Sequence, residues 1–152
     1  MKKRVSVETV NEVNKFVADT VRELSAKYNV KKPLVVIGRF GCQYVPYEEG
    51  RLCVSNRFYP FWEIDKEKAK KVVKWSVAHE FGHHLQYLRG ALPSLFDIHL
   101  MFNPKLESEA NELAESYTNV PASEYSAIVD ELSKIMKKEY VKKLPELEAT
   151  EV

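Results

Sequence analysis

A chain of 152 residues, 45% hydrophobic and 11% aromatic, carries enough apolar surface to fold as one domain, which excludes a disordered segment. Its 23 basic and 22 acidic residues nearly cancel, so net charge gives no argument for nucleic acid or an anionic membrane as partner. No apolar run approaches the ~20 residues of a membrane span, and after the basic start Met1 to Arg4 the stretch Val5 to Val10 is broken by Ser6, Glu8 and Thr9, which excludes a signal-peptide core. The reading is a cytoplasmic protein with no membrane and no nucleic-acid partner. Cys42 and Cys53 are not in a metal spacing and read as free thiols.

Residues 6–28 predict an amphipathic helix, because Val10, Val13, Val17, Val21, Leu24 and Tyr28 recur at steps of three and four. Thr9 and Glu12 have the spacing of a capping box, and Asn29 with Pro33 stops the helix. Leu34 to Ile37 is a β-branched run that predicts a buried strand. Gln43 to Tyr47 and Arg51 to Ser55 read as a hairpin around Glu48-Glu49-Gly50, with Pro46 confining its strand to an edge or a bulge. Asn56 to Trp62 reads as an aromatic-rich connection. Asp65 is the expected N-cap of a long helix running to about Arg89, with Gly90 in the left-handed position after it. Residues 91–103 read as a loop. Asn103-Pro104 then opens a helix to about Thr118. Pro121 begins a last helix with Ile128, Leu132, Ile135 or Met136, and Tyr140 on one face, and Pro145 ends it. The tail, residues 146–152, is expected to be frayed. The layout is one α+β domain over 1–152: an N-terminal helix, a small three-stranded sheet, then three helices.

The string Val77-Ala78-His79-Glu80-Phe81-Gly82-His83-His84 falls inside the long helix. Helical residues four apart lie about 40° apart around the axis and ~6 Å along it, so His79 and His83 project from one face. Two imidazoles so placed can hold one Zn²⁺. Glu80, on the border of that face, is placed to bond the metal's water. A catalytic zinc keeps three protein ligands and one open position, and a carboxylate beside it takes a proton as water attacks a peptide carbonyl. Gly82 lets a neighbouring element approach closely, and His84 points elsewhere. The expectation is one zinc ion on His79 and His83 with Glu80 as general base. The plain alternative is a satisfied pair of helix histidines beside a surface glutamate.

The third ligand is less determined. Position 89 is Arg89 and position 86 is Gln86, which excludes the HEXXHxxGxxH pattern. There remain loop residues Asp97 and His99, or a carboxylate in Glu107-Ser108-Glu109-Ala110-Asn111-Glu112-Leu113-Ala114, which a helix–loop–helix connection returns antiparallel to the histidines. The helix is the stronger source. Glu109 and Glu112 share a face, small Ala110 and Ala114 allow close packing, and Glu115 reads as solvated.

His79-Glu80-Phe81-Gly82-His83 followed by Glu109-Ala110-Asn111 and Ala114 resembles the gluzincin metallopeptidases, HEXXH plus a downstream Glu before Ala-Asn. The continuation to Val120-Pro121 resembles the ImmA/IrrE branch, and the order of elements over roughly residues 5–130 resembles the minigluzincins. The resemblance implies His79, His83 and Glu109 as zinc ligands, Glu80 as base and a peptide or protein substrate. It also implies self-inhibition by the C-terminal segment, as in a zymogen. Where thermolysin-like members carry an Asp four residues after the ligand Glu, this chain has Leu113, which leaves Asn111 as the candidate for orienting a zinc histidine. If the register differs, the ligand is Glu112.

His99, Tyr87 and Tyr117 are candidates for stabilising an oxyanion. Arg51–Asn56 is the candidate edge for pairing with an extended substrate, an internal strand being the equal alternative. Lys66, Lys68, Lys70, Lys71 and Lys74 read as a solvated face. The functional expectation is a zinc endopeptidase. The alternatives are a non-catalytic zinc-binding domain and a SprT-like protease using His99.

Overall fold

The structure is a computed structural model that describes residues 1–39, 41–92 and 103–150. Helix α1 spans Val7–Tyr28 and buries Val13, Val17, Val21 and Leu24, the stripe its periodicity predicts. Its N-cap is Ser6, whose hydroxyl accepts from the Thr9 N–H, so the cap lies one turn before the Thr9/Glu12 box expected. Glu12 is engaged elsewhere, accepting from the Trp62 indole at 2.9 Å. Asn29 closes α1 in the left-handed conformation, φ 51°.

Strands β1 (Leu34–Gly38), β2 (Gln43–Val45) and β3 (Arg51–Ser55) follow, and β4 (Leu147–Thr150) joins them from the far end of the chain. Their order among the described residues is β2-β3-β1-β4. β1 and β3 are parallel, while β2 pairs antiparallel with β3 and β4 antiparallel with β1. β2 stops before Pro46, which keeps the proline out of the ladder and leaves β2 at an edge. β3 is internal, so the Arg51–Asn56 segment is paired on both sides and has no free edge. The three-stranded sheet therefore gains a fourth strand. The segment expected to fray instead pairs with β1 over 147–150, and it satisfies backbone groups that would otherwise leave β1 as an open edge. It does so on the side of the sheet opposite β2.

Phe58–Ile64 forms a short helix, α2, where the sequence reads as a connection. Phe58, Tyr59, Pro60, Phe61 and Trp62 are all buried in it, and packing on nearly every side hides the helical period. Helix α3, Lys66–Leu88, starts at the Asp65 N-cap, which accepts from the Lys68 N–H. It is buried almost all round and packs against α1, α2, β2, β3 and two later helices, α4 (Pro104–Thr118) and α5 (Ala122–Glu139). α4 starts at Asn103 with Pro104 in its first turn, and α5 buries Ile128, Leu132 and Met136. α5 ends at Glu139, well before Pro145, where Tyr140 turns extended beside Lys3. Among the described residues, no helix is long and apolar enough to cross a membrane.

Glu63, at the end of α2, ties the two ends of the chain together. It accepts from the Ser6 N–H at 3.0 Å, the Thr9 hydroxyl at 2.7 Å and the Tyr140 hydroxyl at 2.8 Å. Burial alone would raise this carboxyl; the hydrogen bonds from Ser6, Thr9 and Tyr140 outweigh it and hold the group below its ordinary 4.5. A carboxyl depressed on folding stabilises the fold above its unfolded pKa, and the contribution is lost as pH falls through the folded value. Denaturant titrations of Glu63→Gln are therefore expected to show a flatter loss of stability than the wild type between about pH 5 and pH 3.

Candidate metal centre

α3 carries two successive histidines to opposite tasks. His84 is fully buried, and both of its ring nitrogens are engaged: Nε2 at 2.7 Å from the Lys31 carbonyl, Nδ1 at 2.7 Å from the Tyr44 hydroxyl. A carbonyl only accepts, so Nε2 carries the proton and Nδ1 accepts from Tyr44. This fastens β2 and the entry to β1 onto α3. Gly50 makes room for the contact: at φ +87° it bears no Cβ, and a Cβ there would strike the Tyr44 hydroxyl and lie 2.9 Å from His84 Nδ1. His84 is thus not a ligand, as its direction on the helix implies.

His79 and His83, four residues apart, face the other way, with ring centroids 4.9 Å apart and planes at 87°. Opposite them stands Glu107, in the first turn of α4. Its Oε2 lies 3.2 Å from His79 Nε2 and its Oε1 3.0 Å from His83 Nε2. The three residues form a group whose ligand atoms all lie within 4.8 Å of one another. Two imidazoles and a carboxylate this close together could hold one metal ion.

Glu107 takes the place expected of Glu109. The stripe of α4 that meets α3 runs through Glu107, Ala110 and Ala114, at steps of three and four. A Cβ added to Gly82 would lie 3.1 Å from Ala110 Cα and 3.2 Å from its Cβ, so the two backbones meet at that point. Glu109 sits one residue off the stripe, about 100° around the helix. It pairs with Arg89 at 2.6 Å and accepts from Gln86 Nε2 at 3.2 Å. Glu112, the other carboxylate considered, is exposed.

Glu109 still acts on the site, through Gln86. This fully buried amide donates from Nε2 to the Leu106 carbonyl (2.9 Å) and to Glu109. Both partners are acceptors, which fixes the amide orientation and turns Oε1 toward His83 Nδ1, 2.7 Å away. Nδ1 of His83 therefore carries a proton, and Nε2, 3.0 Å from Glu107 Oε1, is the nitrogen turned toward the carboxylate, where a proton or a metal ion can sit between them. The His79 ring is held differently, by stacking on Trp75 at 5.4 Å with planes 10° apart. Its Nδ1 makes no hydrogen bond among the described residues, and Asn111 acts on the ring from α4. Burial, then the neighbouring His83, holds the His79 imidazole below its ordinary value, against the pull of Glu107 and Asn111.

Glu80 is buried beside this group, with Oε1 3.8 Å from His79 Nε2 and Oε2 making no hydrogen bond among the described residues. Burial, then the charge of Glu107, pushes its carboxyl up to about 8. A buried carboxyl beside a carboxylate is held toward its neutral, protonated form, and a divalent cation in the same space would favour the ionised form instead.

Of the residues considered for oxyanion stabilisation, Tyr87 donates to the Glu48 carbonyl at 2.8 Å and Tyr117 to Glu23 on α1. Asp97 and His99 lie outside the described residues. The sequence reading missed Tyr125. Its ring stacks on Trp75 at 4.3 Å, and its hydroxyl bonds Ser76, one turn before Glu80. Burial, then Cys42, raises this phenol, and the Glu80 charge adds to the effect. Four of the five lysines at the start of α3 pair with glutamates, Lys66 with Glu12, Lys68 with Glu131, Lys70 with Glu67 and Lys71 with Glu124, while Lys74 lies over the Tyr117 ring. Set against protein-family models, curated proteins and solved structures, the chain matches none of them.

Removing an outer hydrogen-bond partner of a metal ligand costs roughly ten- to hundredfold in affinity. Zinc titration against a competing chelator is expected to place Glu109→Gln in that range and Glu107→Gln well beyond it; the opposite ranking would return the ligand role to Glu109. Gly82→Ala gains roughly 1 kcal/mol of helix propensity, offset by the clash with Ala110. Its expected result is little change in denaturant midpoint and a loss of zinc affinity of about tenfold, as Glu107 is pushed back.

Proposed function

We propose that this chain is a zinc-dependent endopeptidase of gluzincin type, with His79, His83 and Glu107 holding the ion and Glu80 as general base. The observation that supports the reading is the buried Glu80 carboxyl, its Oε2 without a hydrogen bond among the described residues, beside a two-imidazole, one-carboxylate donor set. A site serving stability alone commonly closes with four ligands and has no use for such a group. When bound, zinc would supply Lewis acidity toward water and the scissile carbonyl.

The chain's own residues supply the rest. Gln86 keeps His83 in the tautomer that offers Nε2, and Trp75 keeps the His79 plane in place. Glu80 takes the proton from the attacking water and passes it to the leaving amine, and its position off the solvent strengthens that transfer. The Tyr125 hydroxyl, held at Ser76 one turn away, offers a hydrogen-bond donor to the developing oxyanion. The sheet edge open to an extended peptide is β2, Gln43–Val45, fastened to α3 through Tyr44 and His84.

Casein or peptide hydrolysis with zinc titrated in parallel tests the proposal. Glu80→Gln should keep zinc at wild-type affinity and lose roughly 10²–10⁴ in kcat/KM. Hydrolysis undiminished in that variant would refute the role of Glu80. Zinc binding by a wild type that cleaves nothing would favour a non-catalytic zinc domain.

A further inference from the structure

A second feature lies at the other end of the molecule. A cleft of about 850 Å³ opens between the end of α5, residues 140–146 and the loop after β1. That size falls in the range of small-molecule sites. Its walls carry Lys2, Arg39, Arg57, Lys137, Lys142 and Lys143, against a single carboxylate, Glu146, among the described residues that line it. Met136 and Tyr140 form part of an apolar floor. In a chain whose charges nearly cancel, six cations around one cleft are a marked local excess.

The bias is not consumed by the fold. Among the described residues Lys2, Arg57, Lys137, Lys142 and Lys143 make no ion pair, whereas most lysines of α3 do. Glu139, at the end of α5, is taken by Lys3 at 3.2 Å. The helix dipole accounts for a cation at Lys137, in the last turn of α5, but not for those from three other parts of the chain. Lys2 is held in place by donating to the Lys137 carbonyl at 3.1 Å, which brings one more ammonium to the rim.

We propose that this cleft binds a small anion carrying two or more linked phosphates. A concave pocket ringed by cations over an apolar floor suits a compact polyanion. A nucleic-acid backbone is bound by an extended basic stripe or groove, and a membrane by a flat or convex basic face. Ammonium and guanidinium groups on residues from different parts of the chain line this one cleft, and such groups match phosphate oxygens, the guanidinium groups by paired hydrogen bonds.

The test is calorimetric titration of the full chain in EDTA, which silences any metal, at roughly physiological ionic strength. The probes are inorganic tripolyphosphate, ATP, a short single-stranded DNA and phosphatidylserine vesicles. The expected result is saturable one-to-one binding of tripolyphosphate or ATP. It should weaken by roughly tenfold or more in Lys142→Glu/Lys143→Glu and stay unchanged in the equally charged control Lys31→Glu/Lys32→Glu. ATP binding tighter than tripolyphosphate would place the base on the apolar floor, and equal affinities would assign recognition to the phosphates; both support the site. Absence of binding up to about 1 mM, equal weakening in both double variants, or binding confined to DNA or to vesicles would overturn it.

Discussion

Two acidic side chains crowded against two imidazoles are the constraint around which the centre of this molecule is arranged. Glu80 and Glu107 face the same small space, one buried and the other partly so, and Gln86 turns His83 Nε2 toward it. Arg89, a cation at the end of the same helix, is paired with Glu109 at 2.6 Å. Polar groups held like this in low dielectric raise the energy of the fold unless a cation completes them. Everything near them serves to keep them there. Trp75 braces one imidazole, Gln86 the other, and the Val120 carbonyl holds the Trp75 indole at 3.0 Å.

The second condition is distance between backbones. Glu107 reaches the histidines because α4 lies against α3 with only the hydrogen of Gly82 between them at Ala110. A glutamate side chain is short, and an extra methyl at the contact would move its carboxylate by tenths of an ångström. Small residues at this contact are therefore as much a part of the site as the donors. Polar function and close packing are here the same requirement.

Much of this was legible in the residues. The 3.6-residue period gave α1, the Asp65 and Asn103 caps gave the starts of α3 and α4, and the histidine spacing gave the two imidazoles that share a face. The Glu-Ala-Asn pattern points to Glu109, whereas the residue that meets the two histidines is Glu107, which lies on the stripe that Ala110 and Ala114 define. α2 was hidden because its aromatic residues are buried on nearly all sides, which erases periodicity. β4 was hidden for a different reason: its partner is more than a hundred residues away in sequence, and its acidic surroundings look like a solvated tail. Tyr125 could have been found only from the tertiary packing of α5 on Trp75.

The adjacency of His83 and His84 has a mechanical consequence. Side chains of successive helical residues diverge by about 100°, so one turn of α3 grips the ion-binding pocket with one ring and the sheet with the next. The helix is a rigid lever between the two. Any rotation that eased the crowding of acceptors at His83 would drag Tyr44 and the Lys31 carbonyl with it. Strand β2 and the His79–His83–Glu107 pocket are in this sense geared together, and strain introduced at one is felt at the other without passing through the intervening loops.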